Sequence, residues 1–145
     1  MITPLTNGLL VNPVPLQLTL NLCSHGCMYC FSILNNPKRK ADLKGIVSQL
    51  KNHNTRNDLV SYFLREKYPV LISNNVDPFS KNNYQLTSQI VDILNSYEIP
   101  IQLNTRGGFG WQEVTEKMKP SLIYVSVPYF DDEVRMKYEP NAPSL

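Results

Sequence analysis

The chain lacks charge of one sign. Its 14 Lys and Arg stand against 12 Asp and Glu, for a formal +2 over 145 residues, too small an excess to argue for a polyanion as partner. Long hydrophobic runs are missing as well. Nowhere do about 18 apolar residues follow one another, as a spanning helix requires. The opening MITPLTNGLLVNPVPLQL has no basic stretch leading into an apolar one, so neither a membrane span nor a secretory signal is expected and the location should be cytoplasmic. Gly107, Gly108 and Gly110 do not have the spacing of a phosphate-binding fingerprint and read as a turn. Cysteine is scarce: there are three, all between positions 23 and 30, with none after Cys30. An odd, tightly clustered set is no disulfide framework, and cytosolic thiols stay reduced, so the clustering points to metal or redox chemistry.

What is present fits one globular domain, with 42% hydrophobic and 10% aromatic residues. Leu16 to Leu20 alternate apolar and polar residues, which predicts a strand over Val14 to Leu20 that ends just before the cysteines. Leu43, Ile46, Val47 and Leu50 recur at helical spacing. A second helix carries Leu59, Val60, Phe63 and Leu64 behind a cap at Thr55 or Asn57, and Tyr68-Pro69 stops it. Val70 to Ser73 is a short apolar strand that runs into the turn formers Asn74-Asn75-Val76-Asp77-Pro78. The pattern then repeats. A helix from Tyr84 to Tyr97 leads to a strand from Ile99 to Asn104, and a short helix from Trp111 to Met118 leads to a strand from Leu122 to Val127. A last helix begins near Asp131 and runs to Tyr138.

Four strand-then-helix units in series predict an α/β fold in which parallel strands are joined by right-handed crossover helices. About four units make a partial (β/α) barrel, since a complete one needs roughly 250 residues. The last strand would have an open edge, a pairing hazard that soluble proteins cover. The tail from Tyr138 to Leu145 reads as extended. Together these lead to the expectation of an N-terminal fragment, or of a partner subunit that covers the edge. The basic run Lys38-Arg39-Lys40, after Asn35-Asn36-Pro37, reads as a solvated loop in preference to a nucleic-acid contact.

The cysteines form the array Cys23-Ser24-His25-Gly26-Cys27-Met28-Tyr29-Cys30. Three thiolates on one loop can each take one iron of a cubane while Gly26 lets the backbone come close, and the fourth iron then lacks a protein ligand. A Cys3His zinc site using His25 has suitable ligand types, but four ligands so close in sequence would strain tetrahedral closure. A Cys27/Cys30 dithiol would leave Cys23 unexplained, and cysteines kept only for packing would not sit on a loop with Ser, His and Gly. His25 reads as a residue behind the ligands or facing solvent. Met28, Tyr29 and Phe31 either shield a cluster or pack in the core.

The C-x3-C-x2-C spacing, with the aromatic Tyr29 before the last cysteine, resembles the signature of the radical S-adenosylmethionine (SAM) superfamily. Further segments are similar to its spore photoproduct lyase-like branch: Ser73-Asn74 with Asp77-Pro78, Thr105-Arg106, and Glu139-Pro140 with Ala142-Pro143. The resemblance spans almost the whole chain, read as the N-terminal part of the core domain with residues 1–13 as an extension. It implies a radical SAM enzyme, lyase-like or other, that binds a 4Fe-4S cluster on Cys23, Cys27 and Cys30. Reductive cleavage of SAM would give a 5′-deoxyadenosyl radical that abstracts hydrogen from a substrate, and a flavodoxin- or ferredoxin-like donor would supply the electron. By position, Asn74, Asn75 and Asp77 stand where many members carry Gly-Gly-Glu for the SAM ammonium. Arg106 could bind its carboxylate and Ser126 its ribose, with Thr105 and Tyr29 as further cofactor-binding candidates. Members of the branch act on DNA lesions or on unknown targets. The lyase also uses a downstream cysteine that is absent here, so lesion repair does not follow, and the competing class is a non-catalytic zinc module associated with nucleic acid.

Overall fold

The structure, a computed structural model, describes residues 1–4, 15–32, 41–119 and 121–144. The basic run at 38–40 lies outside them. One five-stranded sheet organises the described residues, in the order β1 (Ile2–Pro4), β2 (Leu16–Leu18), β3 (Val70–Ile72), β4 (Ile101–Thr105), β5 (Ser121–Val125). β1, within the segment read as an extension, pairs antiparallel with β2, and every later pairing is parallel. The fold is therefore α/β around a mixed, mostly parallel sheet.

The register explains why short strands suffice. Ile2, Leu18, Ile72, Leu103 and Ile123 pair in one row across all five strands, and the first four are fully buried. Ile123, on the edge, is not. All five residues of β5 are exposed, including Leu122, Tyr124 and Val125, so the open apolar edge expected from the sequence is present.

Helices connect the parallel strands: α1 (Leu43–Asn52) and α2 (Leu59–Arg65) before β3, α3 (Tyr84–Ser96) before β4, α4 (Trp111–Lys117) before β5, and α5 (Asp132–Tyr138) after it. Ile46 and Leu50, one turn apart on α1, are buried as their helical spacing predicted, and Ile90, Val91 and Leu94 are the buried apolar residues of α3. The cap of α2 differs from expectation. Asp58 closes it, its carboxylate accepting from Ser61 N at 2.9 Å and from the Ser61 hydroxyl at 3.1 Å, because a carboxylate directly before the first turn reaches the free amides that Thr55 and Asn57 are too distant to meet. Among the described residues no helix is long and apolar enough to cross a membrane.

The C-terminal segment also departs from expectation. It is no extended tail: Glu139 N donates to Arg135 O and Ala142 N to Glu139 O, which folds residues 139–142 into a turn after α5. Arg135 fastens that turn by donating to the Ala142 carbonyl. Glu139 and Ala142 are buried.

Leu103 belongs to the buried row and has 0% exposure. Replacing it with alanine should lower the unfolding free energy by about 2–5 kcal/mol, measured by urea denaturation. The same change at exposed Leu122 should cost far less.

Candidate functional site

All four parallel strands end on one side of the sheet, and their ends deliver the loops that build the site. β2 leads to the cysteines, β3 to Ser73–Asp77, β4 to Arg106 and β5 to Ser126. These segments and Glu139 line one cleft of about 260 Å³ that contains Cys23, Cys27 and Cys30. Every residue named from the sequence as a candidate site residue, Tyr29, Asn74, Asn75, Asp77, Thr105, Arg106 and Ser126, also lines it.

The carboxylate of Asp77 ties these loops together. Oδ1 accepts from Phe79 N at 2.8 Å and from Thr105 Oγ1 at 2.9 Å, while Oδ2 accepts from Arg106 N at 2.6 Å. Its second neighbour is His25, whose Nε2 lies 3.5 Å from Oδ2, near enough for attraction but off the line of a good hydrogen bond. Asp77 is thus engaged within the protein from several sides. Other buried polar atoms of residues lining the cleft have no hydrogen-bond partner, Ser73 Oγ, Asn104 Oδ1 and Glu139 Oε1 among them. Asn74 and Asn75 are half-buried, and the Asn75 carbonyl accepts from the buried Ser32 hydroxyl, which joins the end of the cysteine loop to the β3 loop.

The cysteine loop is held by its backbone. At its stem, Asn83 Nδ2 donates to Asn21 O at 2.8 Å and Asn82 donates to Leu22 O. At its tip, Met28 N donates to Tyr138 O at 2.9 Å, and Asn141 N donates to His25 O at 3.1 Å. His25 is 2% exposed, its Nδ1 lying 3.2 Å from Asn141 O, so it faces neither solvent nor the sulfurs. Gly26 has φ 67, and a Cβ there would come within 3.2 Å of Asn141 Nδ2, a position suited to glycine alone. Met28, Tyr29 and Phe31 are 72%, 54% and 48% exposed, which corrects the core-packing reading of these side chains.

Gly108 marks the other tight approach. At φ 140, a Cβ on it would meet Phe79 O at 2.4 Å, and Phe109 N donates to that same carbonyl at 2.9 Å. The glycine-containing turn thereby clamps the β4 loop onto the β3 loop. Thr105 Oγ1 accepts from Gly107 N at 2.8 Å while donating to Asp77.

Charge enters through Arg106 and Glu139. The guanidinium meets the Glu139 carboxylate, and its other arm donates to Ser126 O at 3.3 Å. Ser126 N in turn donates to Thr105 O at 2.7 Å. Glu139 has 0% exposure. Burial pushes its carboxyl up, and His25 pulls it down; the Arg106 guanidinium lies against it. Burial lowers the Arg106 pKa, opposed by Cys27 and Asp77. A second cleft of about 230 Å³, walled by Trp111, Ile123, Val125 and Tyr129, shares Thr105, Arg106, Ser126 and Glu139 with the first. The pair stands between the two.

The three thiols are half-buried. Among the described residues no three His, Cys, Asp or Glu side chains gather closely enough to hold a single metal ion. A cubane makes a different demand, since each thiolate meets its own iron at a separate corner. Three half-buried thiols on one loop, beside unpaired buried oxygens, suit that demand.

Burial, and then the charge of Glu139, raises the Cys27 thiol from 9.0 to about 11. The metal-free protein should therefore alkylate at Cys27 with a pH midpoint near 11, followed residue by residue with iodoacetamide and mass spectrometry. A raised thiol pKa favours the protonated folded state. Its contribution to stability is complete below pH 9.0 and is lost as pH rises through about 11. Cys27→Ser should remove that alkaline loss.

No protein-family model, curated protein or solved structure matches this chain.

Proposed function

We propose that the chain is the N-terminal part of a radical SAM core, with Cys23, Cys27 and Cys30 as thiolate ligands of a 4Fe-4S cluster whose fourth iron is left to SAM. The observation that carries this reading is the convergence, in one cleft at the ends of the parallel strands, of the three cysteines with buried oxygens that lack partners. Ligands gather at that end of parallel sheets because loops and helix starts meet there. A cluster held by Cys23, Cys27 and Cys30 would supply the single electron that reductive cleavage of bound SAM requires.

The chain's own residues then bind and orient. Ser73 Oγ and Asn104 Oδ1 offer acceptors to an ammonium, a duty Asp77 is less free to perform because its oxygens already accept from Phe79, Thr105 and Arg106. Arg106, with one arm on Ser126 O, stands where a carboxylate would find a donor. The hydroxyl of Ser126 lines the same cleft and suits a ribose. His25 has its two ring nitrogens turned to Asn141 and Asp77, an arrangement that favours the cluster over a Cys3His zinc site.

Strand order supports the finer architecture. A doubly wound sheet reverses its order at a switch point, whereas here β2 to β5 follow one another without reversal, as the successive βα units of a barrel do. The exposed apolar edge of β5 is then the place for further units or for a partner subunit. A low-potential flavodoxin- or ferredoxin-like protein would deliver the electron, and the substrate class stays open, nucleic acid included.

Anaerobic purification or reconstitution should give a brown protein with about four irons and four sulfides. Alanine at Cys23, Cys27 or Cys30 should remove most of the iron. Addition of SAM and dithionite should release 5′-deoxyadenosine and methionine in equal amounts, read by liquid chromatography. Zinc uptake without iron overturns the reading, and a cluster that never cleaves SAM removes its catalytic half.

A further inference from the structure

Two opposite charges lie at the cysteine loop and belong to none of its thiols. Glu139 is the only acidic residue with 0% exposure among the described residues, and the turn that bears it is bound to the loop at both sides of Gly26, through Asn141 N to His25 O and Met28 N to Tyr138 O. Arg106 approaches from β4, its backbone fixed by Asp77 Oδ2 at 2.6 Å, its guanidinium on Glu139. Both line the cysteine cleft. Neither can swing away easily: Arg135 fastens the Glu139 turn to α5, and Tyr138 stacks on Tyr129 with ring centroids 5.6 Å apart.

We infer that Arg106 and Glu139 form a fixed charge pair that sets the electrostatic potential at the cysteine loop, and through it the reduction potential of a cluster held there. This rests on the cluster reading above. Net charge around an iron-sulfur centre is one of the determinants of its potential. A buried negative charge disfavours the electron that reduction adds, and a positive charge favours it. Low local dielectric strengthens both effects, and the rigid turn keeps them constant.

The test is a redox titration of the reconstituted cluster without SAM, followed by electron paramagnetic resonance, in wild type, Arg106→Gln, Glu139→Gln and the double variant. Glu139→Gln should raise the midpoint potential and Arg106→Gln should lower it. Each shift should be on the order of tenfold in the one-electron equilibrium, about 59 mV, and the double variant should return close to wild type. Arg106→Lys, which keeps the charge, should stay near wild type. A purely structural role would loosen the loop in both single variants and move both potentials the same way, and that result, or no movement, overturns the assignment. Circular dichroism melts establish which variants fold. Should Glu139→Gln not fold, the contrast between Arg106→Gln and Arg106→Lys decides. Wild-type protein that takes up no iron overturns the cluster reading and this assignment with it, whereas a cluster whose potential ignores both charges overturns this assignment alone.

Discussion

The carboxylate of Asp77 is the contact on which the arrangement of the site depends. Its two oxygens accept from the β3 loop, from the end of β4 and from the residue after it, and one of them faces His25 of the cysteine loop. Two strand ends are therefore tied together by one side chain, and the cysteine loop lies against it through His25. Without it, the amides of Phe79 and Arg106 and the hydroxyl of Thr105 would lose their acceptor inside the protein, each at about 1–3 kcal/mol. The β3 loop is also packed through Phe79, which is fully buried in the core.

A second layer of polar contacts extends this arrangement to the far end of the chain. The turn at 139–142 reaches the cysteine loop across more than a hundred residues, and it brings a carboxylate into a place with no exposure. Burying an unpaired charge is costly, and pairing recovers the cost only with good partners. Arg106 is that partner, and its own backbone hangs on Asp77. The two buried carboxylates are thus linked in series: Asp77 sets the position of Arg106, and Arg106 makes the burial of Glu139 tolerable.

The sheet was legible in the sequence because its signals are local. The apolar run Val70–Ile72 and the alternation Ile101-Gln102-Leu103-Asn104 declare themselves within a few residues, and so does the periodic stripe of α1. The cysteine motif was legible for the same reason. What escaped was whatever depends on distance along the chain. Asp77 reads as a turn former or a ligand contact, and nothing near it announces that Thr105 and Arg106 will consume its oxygens. Glu139 stands in a segment that reads as an extended tail, since its burial is created by the cysteine loop. β1 escaped because Ile2–Pro4 is too short to show alternation; only pairing with β2 makes it a strand. Asn82 and Asn83 look like generic polar residues before a helix, yet they hold the stem of the cysteine loop.

The division of labour within that loop follows from these contacts. Its backbone is anchored at the stem by Asn82 and Asn83 and at the tip by residues 138 and 141, while Met28, Tyr29 and Phe31 project toward solvent. A loop fixed by its main chain can present ligands without first collapsing its side chains into a core, so less ordering entropy remains to be lost when a ligand arrives. The cost falls on the thiols. Half-buried and beside a carboxylate, Cys27 is held in its protonated form at neutral pH, and a metal that binds there must displace a proton the fold has stabilised. Arg106 offsets part of that cost with its positive charge. The two side chains that complete the buried network thus act in opposite directions on the Cys27 thiol, after burial itself.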